Sequence, residues 1–313
     1  MKIKQAHWHH FFGGIALLFL LVQILSGSVL TMFYSPHLNE AYASIKYIYD
    51  GFPVIAWIRD THRWAALFLF VAIILHFIRS LLRKDFLIRE SKTLWLTGVL
   101  LIIPMLGFLL TGFILPWEWR GYWFMEMVPN YVNEIPLIGP ATSEFLIDVF
   151  TLNRALVTHI IILPIIALVL MEIHSLTRIK KRPGGLTLYI IEHSLLTLPF
   201  LVAVAILAYA MPMPSQDPDS IPMPLEGENI PTAEWFILIF YVPYLYFKGF
   251  MATLFGFYIP LVVFLVLAIF PYISAGKKAR VHRAKEMLPA PCLAEGFSGT
   301  EPMQKRWVSS ALL

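Results

Sequence analysis

Four histidines lie at two nearly equal spacings. His62 and His76 are 14 residues apart in one apolar run, and His159 and His174 are 15 apart in another. On a helix turning about 100° per residue, 14 steps return to within about 40° of the start and 15 to within about 60°, so each pair shares a helix face. With a rise of about 1.5 Å per residue, the members of a pair stand roughly 21–22 Å apart along the axis, most of the way across a hydrocarbon core of about 30 Å. If both helices run in the same direction, His62 matches His159 in depth and His76 matches His174. Two imidazoles facing each other at one depth suit a low-spin iron with both axial positions filled, which favours electron transfer over oxygen chemistry. The competing reading is a set of membrane histidines on a proton path or hydrogen-bonded within a bundle. Two pairs at matched depths favour haem.

Glycines repeat the same interval. Gly13 and Gly27 are 14 apart in the run before the first histidine pair, and Gly98 and Gly112 are 14 apart in the run before the second. Glycine lets a flat group approach the backbone, although small residues also serve helix packing in membranes. Arg59 and Arg63 flank His62, and Arg79 follows His76. Guanidinium groups suit the carboxylates of haem propionates, with snorkelling to lipid headgroups as the alternative.

These residues need membrane helices to hold them. Hydrophobic residues make up 58% of the 313 and charged residues 14%, against about 25% charged in soluble domains. Six runs are long enough to cross a bilayer, at about 12–34, 62–82, 95–116, 155–177, 189–211 and 251–273. The predicted fold is an all-α integral membrane protein of about six transmembrane helices, the first four forming a haem-binding bundle.

Lys and Arg concentrate at the N-terminus, in the second–third and fourth–fifth connections, and in the tail after 276. Six spans put all four segments on one side. The positive-inside rule makes that side cytoplasmic (n), with both termini there. The net charge of +4 is thereby explained by orientation and not by nucleic-acid binding. The third–fourth and fifth–sixth connections are long and acidic and fall on the opposite (p) side. A short apolar stretch at 235–249, broken by Pro243 and Lys248, reads as an interfacial helix. With Cys292 the single cysteine, thiolate-held iron–sulfur clusters are excluded. The first run has no small-residue cleavage site and is expected to be retained.

Several stretches resemble the cytochrome b/b6 family of quinol:cytochrome c or plastocyanin oxidoreductases. They are Gly13-Gly14 leading to Gln23 and Gly27, Ile58-Arg59-Asp60-Thr61-His62-Arg63-Trp64, Leu75-His76-Phe77-Ile78-Arg79, Thr111-Gly112-Phe113-Ile114-Leu115-Pro116-Trp117, Ile135-Pro136-Leu137-Ile138-Gly139 and Thr151-Leu152-Asn153-Arg154. The 15-residue spacing of the second pair is the b6-type variant. Likeness is strong over 8–182 and weaker over 183–275, which looks like the family's subunit IV. This divides the chain into 1–182 as a di-haem bundle, 183–275 as a two-span part with a p-side quinol loop, and 276–313 as a cytoplasmic tail.

The resemblance implies two non-covalent bis-histidine haems b, a quinone/quinol substrate, and a site in the electron-transport chain of a prokaryotic cytoplasmic membrane. It also implies a Rieske-type iron–sulfur protein and a cytochrome c-type subunit or other redox subunits as partners, and a homodimer. Where the family carries Pro-Glu-Trp-Tyr to deprotonate quinol, this chain has Ala233-Glu234-Trp235-Phe236, which keeps Glu234 as the candidate catalytic carboxylate. Phe11 stands where b6 proteins attach a further haem through cysteine, so no covalent haem is expected. For quinone contacts the candidates are Glu234 and Trp235 on the p side, and Glu192, His193 and His10 on the n side. The rival functions are a haem b membrane anchor of another quinone-linked oxidoreductase and a haem-free proton-coupled transporter.

Overall fold

The computed structural model of the chain describes residues 11–87, 92–213, 236 and 238–273, all within one compact unit. Six helices among them are long and apolar enough to cross a membrane: Phe12–Leu30, Pro53–Leu82, Lys92–Ile114, Leu152–Lys180, Gly185–Ala210 and Phe250–Ile273. The described residues contain no strand. The protein is an all-α, multi-pass membrane protein. In the bilayer every backbone polar group must be paired within the protein, and helices achieve this without a partner strand.

The first span packs along the second, and the third along the fourth. The core between them is built from Ile15, Phe19, Ala65, Leu69, Ala72, Met105 and Leu109. The fifth span lies against the first and second. Two indoles of the second span fasten it there: Trp57 Nε1 donates to Ala205 O (3.1 Å) and Trp64 Nε1 to Met211 O (3.2 Å). Trp95 Nε1, in the third span, donates to Leu267 O of the sixth (2.6 Å).

The second span starts at Pro53, well ahead of the apolar run that begins at His62. Proline suits a first helical turn because its missing N–H would have no intrahelical partner there. The extra turns carry Arg59 and Asp60, both buried among protein partners and not left in a loop.

The fourth span is not a uniform α-helix. It passes through two π-helical turns, Thr158–Ile162 and Glu172–Leu176, and each contains a histidine. A π-turn holds one more residue than an α-turn. The 15-residue interval in this span therefore covers nearly the rotation that 14 residues cover in the regular second span. Two local causes are visible. Pro164 follows the first π-turn and cannot donate to the carbonyl four residues back. Thr177 Oγ1 donates to both Glu172 O and Glu172 Oε1 (2.9 Å each) across the second.

The connections are also helical. Ala41–Gly51 precedes the second span, and Trp119–Asn133 and Gly139–Glu144 link the third and fourth. Within the 235–249 stretch, Leu238–Tyr246 is a short helix, separated from the sixth span by Gly249 at φ 55°. Gly256 of the sixth span brings that span against the Tyr244 ring and Phe240 O, where a side chain would collide.

Candidate functional site

His62 stands opposite His159 with ring centres 6.5 Å apart, and His76 opposite His174 at 6.2 Å. An imidazole nitrogen lies about 1.2 Å from its ring centre and binds a first-row metal at about 2 Å. Two imidazoles on opposite sides of one ion would then have centres about 6.4 Å apart. Both pairs fit that separation. Among the described residues no three or more His, Cys, Asp or Glu gather to hold a bare ion. Facing imidazoles at this separation would suit an iron-bearing macrocycle held between them.

Each ring edge rests on a glycine. A Cβ built on Gly27 would lie 3.2 Å from His62 Cε1, on Gly13 3.3 Å from His76 Cε1, on Gly112 3.1 Å from His159 Cε1, and on Gly98 2.9 Å from His174 Cε1. What the glycines face here is thus the imidazole itself. The first span seats the histidines of the second, and the third span seats those of the fourth.

Hydroxyls beside three of these glycines orient the rings. Ser26 donates its proton to Val22 O (2.6 Å), Thr111 to Gly107 O (2.6 Å) and Thr97 to Thr93 O (2.7 Å). Each oxygen then accepts from an imidazole: His62 Nδ1 to Ser26 Oγ at 2.9 Å, His159 Nδ1 to Thr111 Oγ1 at 2.8 Å, and His174 Nδ1 to Thr97 Oγ1 at 3.2 Å. His174 Nδ1 also reaches Leu94 O (2.9 Å). With the hydroxyl proton already committed, Nδ1 must carry the hydrogen, which leaves Nε2 unprotonated with a lone pair for a metal. The sequence reading overlooked these residues. The repeated Ser-Gly and Thr-Gly dipeptides at 26–27, 97–98 and 111–112 were the available signal.

A buried polar cluster adjoins the His62 end. Arg59 Nη1 donates to Tyr49 Oη (2.7 Å) and Met213 O (2.8 Å) and lies 3.6 Å from Asp60 Oδ1. Asp60 Oδ1 accepts from Tyr49 Oη (2.5 Å) and from Met213 N (3.2 Å). Burial pushes the Tyr49 phenol above its ordinary range, so it stays a proton donor to Asp60. Arg63 Nη2 reaches Glu118 Oε1 at 3.4 Å. Glu118 is buried and precedes the Trp119–Asn133 helix; Trp117 before it holds φ 48°, uncommon for so bulky a residue. Arg59 and Arg63 are thus committed to protein partners. Arg79, three residues after His76, has a buried Nε with no hydrogen-bond partner among the described residues.

His193, on the fifth span, is buried against the first span. Its ring occupies the space a side chain on Gly14 would need, stacks on Tyr189 at 3.9 Å, and donates from Nδ1 to Tyr189 O (2.8 Å). It therefore neighbours Gly13 and the His76 pair. Glu192 is only partly buried. His10, Glu234 and Trp235 lie outside the described residues.

A sequence model of the family Cytochrome b/b6/petB matches residues 3–182, more than half of the chain. The chain belongs to the cytochrome b/b6 family. Cytochrome b6 of Gloeobacter violaceus is 37% identical over 178 residues, covering 55% of this chain and 82% of the relative. Cytochrome b6 of Tupiella akineta is 35% identical over the same shares. Among solved structures, a chain described as hyperthermophilic respiratory Complex III superposes with a TM-score of 0.68 over 86% of this chain and 76% of that one. At 22% identity it shows the fold alone. Membership in the cytochrome b/b6 family implies binding of haem b.

Proposed function

We propose that the chain is the di-haem cytochrome b subunit of a bc-type quinol-oxidising complex, with one haem b between His62 and His159 and a second between His76 and His174. The carrying observation is the two ring pairs at 6.5 and 6.2 Å, about 21 Å apart along the second span. Bound there, the haems would supply one-electron transfer across the bilayer. Ser26, Thr111 and Thr97 would orient the ligand rings, and the glycines would keep the ring edges clear. Arg79 Nε, which has no hydrogen-bond partner among the described residues, would donate to a propionate oxygen of the second haem.

In a prokaryotic cytoplasmic membrane the His76/His174 end and both termini would lie on the cytoplasmic side, a reading that the basic connections support. Quinol would be deprotonated on the opposite side by Glu234 with Trp235 beside it, while His193 and neighbouring n-side groups such as Glu192 and His10 would serve quinone reduction. In the domain division, 1–182 binds haem and 183–275 contributes the quinol loop. A Rieske-type iron–sulfur protein and a cytochrome c-type subunit would be the electron-accepting partners, in a homodimeric assembly.

The test is oxidant-induced extra reduction of haem b with the n-side quinone site inhibited. Its appearance supports electron bifurcation. Its absence, with both haems present, supports a haem b anchor in another quinone-linked oxidoreductase. The replacement of the family's Pro and Tyr by Ala233 and Phe236 gives that second reading its footing.

A further inference from the structure

The two ring pairs differ in the charges around them, and the charges at the His62/His159 end are buried. Arg59, Asp60 and Glu118 have side chains 4%, 2% and 5% exposed, and Arg63 26%. Two guanidiniums meet two carboxylates, so the cluster is neutral as a whole. Arg63 follows His62 directly. Glu118 lies four residues beyond Ile114, where the helix that carries Thr111, the acceptor of the His159 ring, ends. At the other end, the Glu172–Lys180 ion pair has side chains 43% and 53% exposed, where solvent screens it.

We propose that Glu118, through its pairing with Arg63, is the charge that sets the midpoint potential of the redox centre at His62/His159. The inference rests on the haem reading above. Oxidised and reduced iron differ by one positive charge, so a buried carboxylate nearby favours the oxidised form and lowers the potential. Removing that carboxylate leaves Arg63 uncompensated and gives the cluster a net positive charge, which favours the reduced form. Coulomb energy falls as the inverse of distance, so the centre at the other end of the bundle, about 20 Å further along the second span, feels a smaller effect. Glu118 is a tuning residue that acts through Arg63 and the local field. It needs no contact with quinol or with the iron.

The experiment is a potentiometric titration of the membrane-embedded complex, read in the visible spectrum. The wild type resolves two b-type components, and the one lost in His62→Ala is the centre in question. Glu118→Gln raises the potential of that component and shifts the other by less. Glu118→Asp keeps the charge and returns the potential toward the wild-type value. Arg63→Gln, an independent second variant should Glu118→Gln fail to assemble, lowers it. No shift in that component, equal shifts in both, or an upward shift in Arg63→Gln overturns the inference while the haem reading stands. A wild type without two b-type components overturns both.

Discussion

The two ends of the helix bundle use one ligand geometry in two surroundings. Both pairs of imidazoles face each other at similar separations, and both rest on glycines of the neighbouring span. At the His62/His159 end each ring has one hydroxyl acceptor, and a buried cluster clamps Met213, where the fifth span ends. At the other end His174 has two acceptors, Arg79 keeps a nitrogen with no hydrogen-bond partner among the described residues, and His193 packs against Gly14, next to the glycine that faces His76. Ligation comes from a repeated pattern. The difference between the ends lies in side chains outside that pattern, and this is where the two sites could acquire different potentials and different quinone chemistry.

The strongest way to break this comparison is at the ligands. His159→Ala removes one imidazole of the His62 pair and leaves the His76/His174 pair intact, so it should abolish one haem and spare the other, halving haem per chain in a pyridine haemochrome assay.

Next in size are the glycines. A Cβ at Gly98 falls 2.9 Å from the His174 ring, against 3.3 Å for Gly13 and His76. Gly98→Ala should therefore displace its ring and cost about 1–3 kcal/mol, while Gly13→Ala is largely absorbed; thermal melts followed at the haem absorption band rank them.

The hydroxyls sharpen the contrast further. Ser26→Ala and Thr111→Val each strand an imidazole N–H and should weaken haem retention about 10–100-fold. Thr97→Val leaves Leu94 O as an acceptor for His174, so its effect on haem loss to an apo-globin scavenger should be smaller.

The smallest effect on haem is expected from Tyr49→Phe, which touches neither imidazole pair; it removes the hydroxyl that donates to Asp60 and accepts from Arg59, and should cost about 1.5–3 kcal/mol in a denaturant titration.

Much of this frame is legible in the sequence, and particular residues show why the rest is not. All six spans follow from hydropathy because lipid admits long apolar helices and little else. The start of the second span does not, since Arg59 and Asp60 read as loop until their partners are known. Those partners, Tyr49 and Met213, stand ten and more residues away, and Met213 contributes only its backbone. The facing of His62 with His159 can be read from spacing and span direction. The π-turns that reconcile 15 residues with 14 are signalled only by Pro164, and the second of them by a side-chain bond of Thr177. Glu118 reads as one acid among several in a connection, because nothing local records that Arg63 meets it.

The central claim is that one chain carries two haems on four histidines, in two separable pairs. Haem per chain, measured by pyridine haemochrome in the purified complex before and after His76→Ala, tests it most directly. The account predicts two haems b in the wild type and one in the variant, with the remaining haem still low-spin. One haem or none in the wild type, or an unchanged count in the variant, would contradict it.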